Sequence, residues 1–241
     1  MNQLGTNMIE SYLHRLGVVT PDSANRSALL MLHAAHQRTI PFENIDVFTG
    51  VPLSLDQDAL FDKIVKRRRG GFCYELNFLF SRLLNALGYR VRLMSAGVFN
   101  AEGVVGPAFD HLCLRVETEE GPYLCDVGFG RAPLHPIPLA ASGRIEDPGG
   151  IFRLIEHASA RDGFGPPHWS LDRVSSDRER RTENGWMPLY LFDPAERKIE
   201  DFLPQCGWHQ NSPEAMFPRT LIVTRATRDG RISVRGHQWT R

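Results

Sequence analysis

The sequence predicts an α+β fold, with helices first, then an antiparallel sheet or barrel, then a small mixed segment. Three observations carry this. Apolar residues recur at helical spacing as far as Leu87. After Gly88 the period changes to two. The strand candidates that follow are separated by turn residues rather than by helices, which excludes an alternating βαβ chain.

Taken in order, Met8 to Leu16 reads as a short amphipathic helix closed by Gly17. Ser23 to Arg38 carries Leu29, Leu30, Leu32 and Ala35 near helical spacing and stops before Ile40-Pro41. Ser54-Leu55-Asp56-Gln57 reads as a capping box opening a helix through Leu60, Phe61, Ile64 and Val65. Cys73 opens the next helix, whose apolar face is Leu76, Leu79, Phe80, Leu83, Leu84 and Leu87, with Gly88 as its stop. Arg90 to Val98, Asp110 to Glu117 and Pro122 to Val127 read as strands, the last two joined through Glu119-Glu120-Gly121. Gly128 to Gly150 is rich in Pro and Gly and is expected to be mostly loop. Ile151 to His157, His168 to Val174 and Trp186 to Phe192 are further strands, and a hairpin turns at Asp229-Gly230 between Thr220–Ala226 and Arg231–Arg235. There is no internal repeat.

Bulk properties narrow the function classes. The 241 residues are 42% hydrophobic and 23% charged, as in an ordinary globular protein. Twenty-eight basic residues balance 28 acidic ones, so no net field favours nucleic acid or an anionic membrane. No apolar run approaches the roughly 20 residues of a membrane span, and the N-terminus lacks a signal-peptide core. The expected location is cytosolic. Cys73, Cys113, Cys125 and Cys206 form no C-x-x-C pair. In a reducing cytosol they are free thiols, and Cys113, Cys125 and Cys206 read as small core residues. His33 and His36 share a helix face, but no further ligands stand at informative spacing, so no metal site is expected.

The chemistry concentrates at Arg69-Gly70-Gly71-Phe72-Cys73-Tyr74-Glu75-Leu76-Asn77. A helix N-terminus carries unpaired N–H groups and positive partial charge, which favour the thiolate of a cysteine held there. A cysteine nucleophile wants a base and a group that orients the base. His111, in Asp110-His111-Leu112, and Asp126, in Cys125-Asp126-Val127-Gly128, lie on strands that become neighbours if the Gly121 hairpin forms. Asp126 then accepts from one ring nitrogen of His111 and leaves the other for Cys73. Read singly, each residue has an ordinary structural role; together they make a candidate Cys-His-Asp site that competes with that reading.

The Arg69–Asn77 segment resembles the active-site motif of the arylamine N-acetyltransferases. Ile40-Pro41-Phe42-Glu43-Asn44-Ile45-Asp46, Asp110-His111-Leu112, Cys125-Asp126-Val127-Gly128-Phe129-Gly130 and Trp208-His209-Gln210-Asn211-Ser212-Pro213 with Phe217 resemble further motifs of that family, in order. The resemblance implies a cysteine-protease-like core built from a helical domain over 1–88 carrying the nucleophile, a β-barrel-like domain over 89–195 carrying His and Asp, and a shortened α/β lid over 196–241. It implies acetyl-CoA as acyl donor, Cys73 as nucleophile, His111 as base, Asp126 as orienting acid, and an arylamine, hydrazine or N-hydroxyarylamine as acceptor. Phe42, Val98 and Phe129 are implied to line the acceptor pocket. Gly128, Gly130 and Arg131 are implied to lie at the coenzyme A entrance, where a plain turn is the competing reading. The expected partners are these small molecules, with neither nucleic acid nor membrane, in a monomer or homodimer.

Backbone N–H groups at Cys73 and Tyr74 are the candidate oxyanion donors. Arg67-Arg68-Arg69 reads either as a phosphate-attracting run or as a helix end complementing its dipole, with Arg69 alternatively holding Glu43 or Glu75. The chain departs from the family pattern in stopping at Arg241, some tens of residues early, and in carrying Cys206-Gly207 where many members have asparagine and an aromatic. Two other functions stay open at this point: an amide synthase that releases a polyketide chain, and a hydrolase using the same Cys-His-Asp logic.

Overall fold

A computed structural model describes residues 3–160, 163–175 and 185–241. Helix α1 (Thr6–Leu16) ends where Gly17 turns left-handed at φ 73°. Helix α2 (Arg26–Thr39) begins at Asn25, whose side chain accepts the Ala28 N–H at 2.9 Å. Its inner face buries His33, His36 and Gln37 along with Leu29 and Leu32. Polar groups so placed must find partners, and they find them in the site. After strand β1 (Phe42–Glu43) and the single turn α3 (Ile45–Phe48), helix α4 (Gln57–Phe61) runs into a π-helical turn over Asp62–Lys66. The expected cap at Ser54 is corrected here. Asp56 caps α4 by accepting from Asp58 and Ala59 N–H, and Ser54 only accepts the Asp56 N–H. Helix α5 (Cys73–Ala86) starts at the cysteine as expected, with Gly88 at φ 96° beyond its end.

The chain then builds an eight-stranded antiparallel sheet from β2 (Arg90–Val98), β3 (His111–Thr118), β4 (Gly121–Cys125), β5 (Ile137–Pro138), β6 (Ile145–Asp147), β7 (Gly150–His157), β8 (His168–Val174) and β9 (Trp186–Phe192), in the order β5-β4-β3-β2-β9-β8-β7-β6. Two short strands, β5 and β6, fall inside the segment expected to be mostly loop. Helix α5 packs on β2 and β3, so one continuous core joins Leu76, Leu79, Phe80 and Leu83 to Leu112, Leu114 and Val116. Two expected boundaries shift: β3 starts at His111 rather than Asp110, and β4 stops at Cys125, one residue before Asp126.

A second, four-stranded sheet has the order β1-β10-β11-β12, with β10 (Ile222–Ala226), β11 (Arg231–Arg235) and β12 (Gln238–Thr240). Helix α6 (Leu203–Asn211) precedes it after a 3-10 turn at Ile199–Phe202. Strand β1 pairs with β10 on one side and makes a parallel bridge from Phe42 to Gly71 on the other. A C-terminal hairpin therefore fixes a two-residue strand that in turn fixes the loop before Cys73. Gly70 permits this approach, because a Cβ there would stand 2.2 Å from the Pro41 carbonyl oxygen.

Charged groups lock the same loop. Arg69 donates to Glu43 and Asp46 at 2.8–3.0 Å, resolving its alternatives in favour of Glu43. Glu75 is instead claimed by Lys63, whose Nζ lies 2.8 Å from Glu75 Oε1 and 2.7 Å from Asp46 Oδ2. Glu75 Oε2 also accepts the Phe72 N–H at 2.8 Å, so the first turn of α5 is tied to a buried ion pair. Removing one member of such a pair strands the other charge. Lys63→Met is expected to cost about 3–5 kcal/mol of stability in urea denaturation. A loss no larger than that of a surface substitution, about 0.5 kcal/mol, would show that Glu75 does not depend on this partner.

Candidate active site

Cys73 is 5% exposed at the first helical position of α5, with extended Phe72 as its cap. Asn77 follows one turn later on the same face. Its amide nitrogen donates to the Leu112 carbonyl at 2.6 Å and to Asp126 Oδ1 at 2.9 Å, and its oxygen accepts the Val127 N–H at 2.9 Å. One side chain thus pins α5 to β3 and to the segment leaving β4. Gly128 completes the seam. A Cβ there would lie 2.9 Å from Cys73 Cα and 2.8 Å from its carbonyl oxygen, so only glycine lets this segment reach the nucleophile's backbone.

His111 and Asp126 meet as the hairpin predicts. His111 Nε2 lies 2.8 Å from Asp126 Oδ2, both residues being buried. The ladder ends at Leu114 opposite Cys125, so Asp126 lies just past the strand, diagonal to His111 on one face. Oδ1 accepts from Asn77 and from the Gly128 N–H at 2.9 Å. Burial works against this carboxylate, but His111, Asn77 and the Gly128 N–H outweigh it and hold its pKa below the usual range. The carboxylate bond on Nε2 leaves Nδ1 of His111 as the ring nitrogen that Asp126 does not engage.

The thiol corrects an expectation. The helix start alone favours ionisation, yet burial pushes Cys73 well up, and the neighbouring Cys206, Asp110 and Asp126 push the same way, opposed by a bond from the Tyr74 N–H. Part of the packing around the start of α5 comes from α6, a helix absent from the sequence reading, and from the 3-10 turn before it. Phe202 packs on Tyr74 with ring centroids 6.0 Å apart, His209 lies edge-on to Phe72 at 5.8 Å, and Cys206 is buried in the core that contains Cys73. Beside them, His209 Nε2 lies 2.9 Å from Asp110 Oδ1.

The remaining predicted residues divide. Phe42, Phe129 and Gly130 line one shallow cleft with Gln37, Ile40, Val127, Thr224 and Arg231. Phe129 also stands edge-on to His111 at 5.3 Å. Val98 lies elsewhere, at the end of β2 opposite Tyr190, with its N–H 3.3 Å from Asp110 Oδ2. Gly128 is buried against Cys73 and does not line the cleft, while Arg131 is exposed. Arg67 pairs with Asp62 at 2.8 Å. His33 and His36 face protein partners: His33 meets the Leu134 carbonyl and the Asp126 N–H, and His36 meets the Tyr12 hydroxyl at 3.0 Å. Among the described residues no group of three or more His, Cys, Asp or Glu is arranged to hold a metal ion.

Known proteins resemble this chain over most of its length. A family model described as N-acetyltransferase matches residues 27–241. An arylamine N-acetyltransferase / N-hydroxyarylamine O-acetyltransferase of Salmonella typhimurium is 31% identical over 98% of this chain and 79% of its own length. The arylamine N-acetyltransferase of Mycolicibacterium smegmatis is 36% identical over 93% of this chain and 78% of its own. The solved structure of the arylamine N-acetyltransferase from Salmonella typhimurium superposes with a TM-score of 0.85 at 28% identity, covering 99% of this chain and 85% of that one. That of Mycobacterium marinum in complex with CoA gives 0.84 at 29% identity, covering 96% and 82%. The chain belongs to the arylamine N-acetyltransferases, a family of acyltransferases.

Proposed function

We propose that this protein carries an acetyl group from acetyl-CoA to an arylamine, hydrazine or N-hydroxyarylamine, with Cys73 as nucleophile, His111 as base and Asp126 as the group that orients it. The observation that carries the reading is the buried His111–Asp126 contact of 2.8 Å, tied through Asn77 to the helix that Cys73 opens. A Mycobacterium marinum relative solved with CoA supports the donor.

The chemistry runs in two balanced halves. His111 Nδ1 takes the Cys73 proton as sulfur attacks the thioester carbonyl. The carbon–sulfur bond to coenzyme A breaks, and the leaving thiolate takes the proton back from the imidazolium. Acetyl-cysteine remains. The acceptor nitrogen (or hydroxyl oxygen) then attacks the acetyl carbon, gives its proton to His111, and expels Cys73 as thiolate, which His111 reprotonates. A thiolate-for-thioester exchange is close to even in energy, so a covalent relay suits transfer between two acceptors. Asp126 stabilises the imidazolium in both halves. The Cys73 N–H is the preferred oxyanion donor. Of its neighbours, the Phe72 N–H is taken by Glu75 and the Tyr74 N–H faces the sulfur.

Phe42 and Phe129 supply aromatic faces for an acceptor ring, with Val98 as a more distant wall. The cleft encloses only about 10 Å³, far below the roughly 300–1,000 Å³ of a drug-sized site, so an acceptor ring enters only if these side chains move apart. Gly130 and Arg131 border the donor side. A reducing cytosol suits the mechanism, since Cys73 must stay a thiol and all four cysteines are free.

Incubation with acetyl-CoA alone should add one acetyl group, mapped by mass spectrometry to Cys73. Addition elsewhere, or none in folded protein, contradicts the relay, and Cys73→Ser should abolish both the adduct and turnover. Asp126→Asn should leave the chain folded and lower kcat by about a thousandfold or more, by analogy with loss of the orienting acid in Ser-His-Asp enzymes. Wild-type turnover in that variant would remove Asp126 from the mechanism.

A further inference from the structure

Asp126 poses a problem that the reacting residues do not solve. Its strand pairing ends one residue earlier, at Cys125 opposite Leu114, so its own peptide N–H has no ladder partner. The residue is buried, and a buried N–H left unpaired is costly. The partner comes from a different part of the chain. His33, 1% exposed on α2, lies with Nε2 3.0 Å from the Asp126 nitrogen. Its other nitrogen, Nδ1, is 2.8 Å from the Leu134 carbonyl oxygen.

These two contacts fix the chemistry of the ring. A carbonyl only accepts, so Nδ1 carries the proton. A peptide N–H only donates, so Nε2 must be unprotonated. The ring is therefore neutral and held in one tautomer. Burial agrees, drawing its pKa down to about 4. Gln37, one turn on, works beside it. Its amide donates to the Pro133 carbonyl and, at 3.5 Å, to the Asp126 carbonyl, and Arg231 of the C-terminal hairpin donates to its oxygen at 3.2 Å. The segment leaving β4 is thus clamped at both ends by two side chains of a helix that contributes no reacting group.

From this geometry we infer that His33 is a positioning residue for acyl transfer: its neutral ring holds the Asp126 peptide, and through that peptide the carboxylate that orients His111. The inference rests on the reading of Cys73, His111 and Asp126 as the reacting set. It assigns α2 a role in catalysis beyond packing. Gln37 and Arg231 extend the brace to the C-terminal hairpin.

The test compares His33→Leu with His33→Gln, beside Asp126→Asn. Leucine fills much of the space without an acceptor. The glutamine side-chain oxygen reaches the position of Nε2 and keeps one. Single-turnover acetylation of Cys73 by acetyl-CoA should slow by about ten- to a hundredfold in His33→Leu, the scale of a misplaced catalytic group. KM for the amine should hold, and His33→Gln should recover most of the rate. Placed on top of Asp126→Asn, His33→Leu should slow the reaction by no more than about threefold further, because coupled residues are not additive. Wild-type rates in His33→Leu, or equal losses with leucine and glutamine, overturn the inference.

A measurement on the unaltered protein decides the matter if the leucine variant does not fold. Nitrogen-15 NMR should show His33 Nε2 unprotonated and coupled through the hydrogen bond to the Asp126 amide nitrogen. Absence of that coupling, or a protonated Nε2 at neutral pH, overturns the inference. Full activity of Asp126→Asn would instead sink the reading of the reacting set and leave the His33 contact standing.

Discussion

Everything at this site depends on keeping one carboxylate charged inside the protein. Asp126 is 3% exposed, where burial alone favours its neutral form. Three donors reverse that preference: His111 on one oxygen, and Asn77 and the Gly128 N–H on the other. Each donor sits on a different element, so the carboxylate also fastens α5, β3 and the segment after β4 to one another. Its folded pKa lies below the unfolded value of about 3.9. It therefore adds stability above that pH and loses it as pH falls through the folded pKa.

On the proposed mechanism, the buried carboxylate explains how a buried thiol can serve as a nucleophile. Cys73 is buried in a core that also holds Cys206 of α6, and the desolvation outweighs the help of the helix start. Ionisation then requires that the proton pass to a nearby base whose cation is stabilised, and Asp126 makes imidazolium acceptable in that setting. The same burial bears on the intermediate. On the proposed relay, a thioester on Cys73 is open to water, and apolar surroundings that include Phe72 and Phe202 would disfavour its hydrolysis. A solvated cysteine would ionise more readily and protect its intermediate less.

What could be read from the chain was what local pattern encodes. The start of α5 at Cys73, the hairpin that joins His111 to Asp126, and the glycines before the nucleophile all follow from spacing and turn residues. What could not be read depends on distant pairing. Strand β1 is two residues long and exists because β10, some 180 positions later, pairs with it. Helix α6 carries Pro204 and Gly207 and little amphipathic signal, so its place in the core that holds Cys73, and the upward push on the thiol, were not foreseen. Lys63 answers Glu75 across a π-helical turn that no simple period describes. His33 looked like half of a weak metal motif; its partner lies 93 positions away at a peptide N–H, a contact that leaves no trace in side-chain spacing.

On the proposed mechanism His111, oriented by Asp126, takes the proton from Cys73; the helix start does not suffice. The rate of Cys73 alkylation by iodoacetamide as a function of pH tests it most directly. Alkylation should already be fast at neutral pH in the wild-type protein, because His111 takes the thiol proton as sulfur attacks, and His111→Ala should lose that neutral-pH rate. A rate that stays low at neutrality and rises only near or above the ordinary thiol pKa of about 8.5 would contradict it.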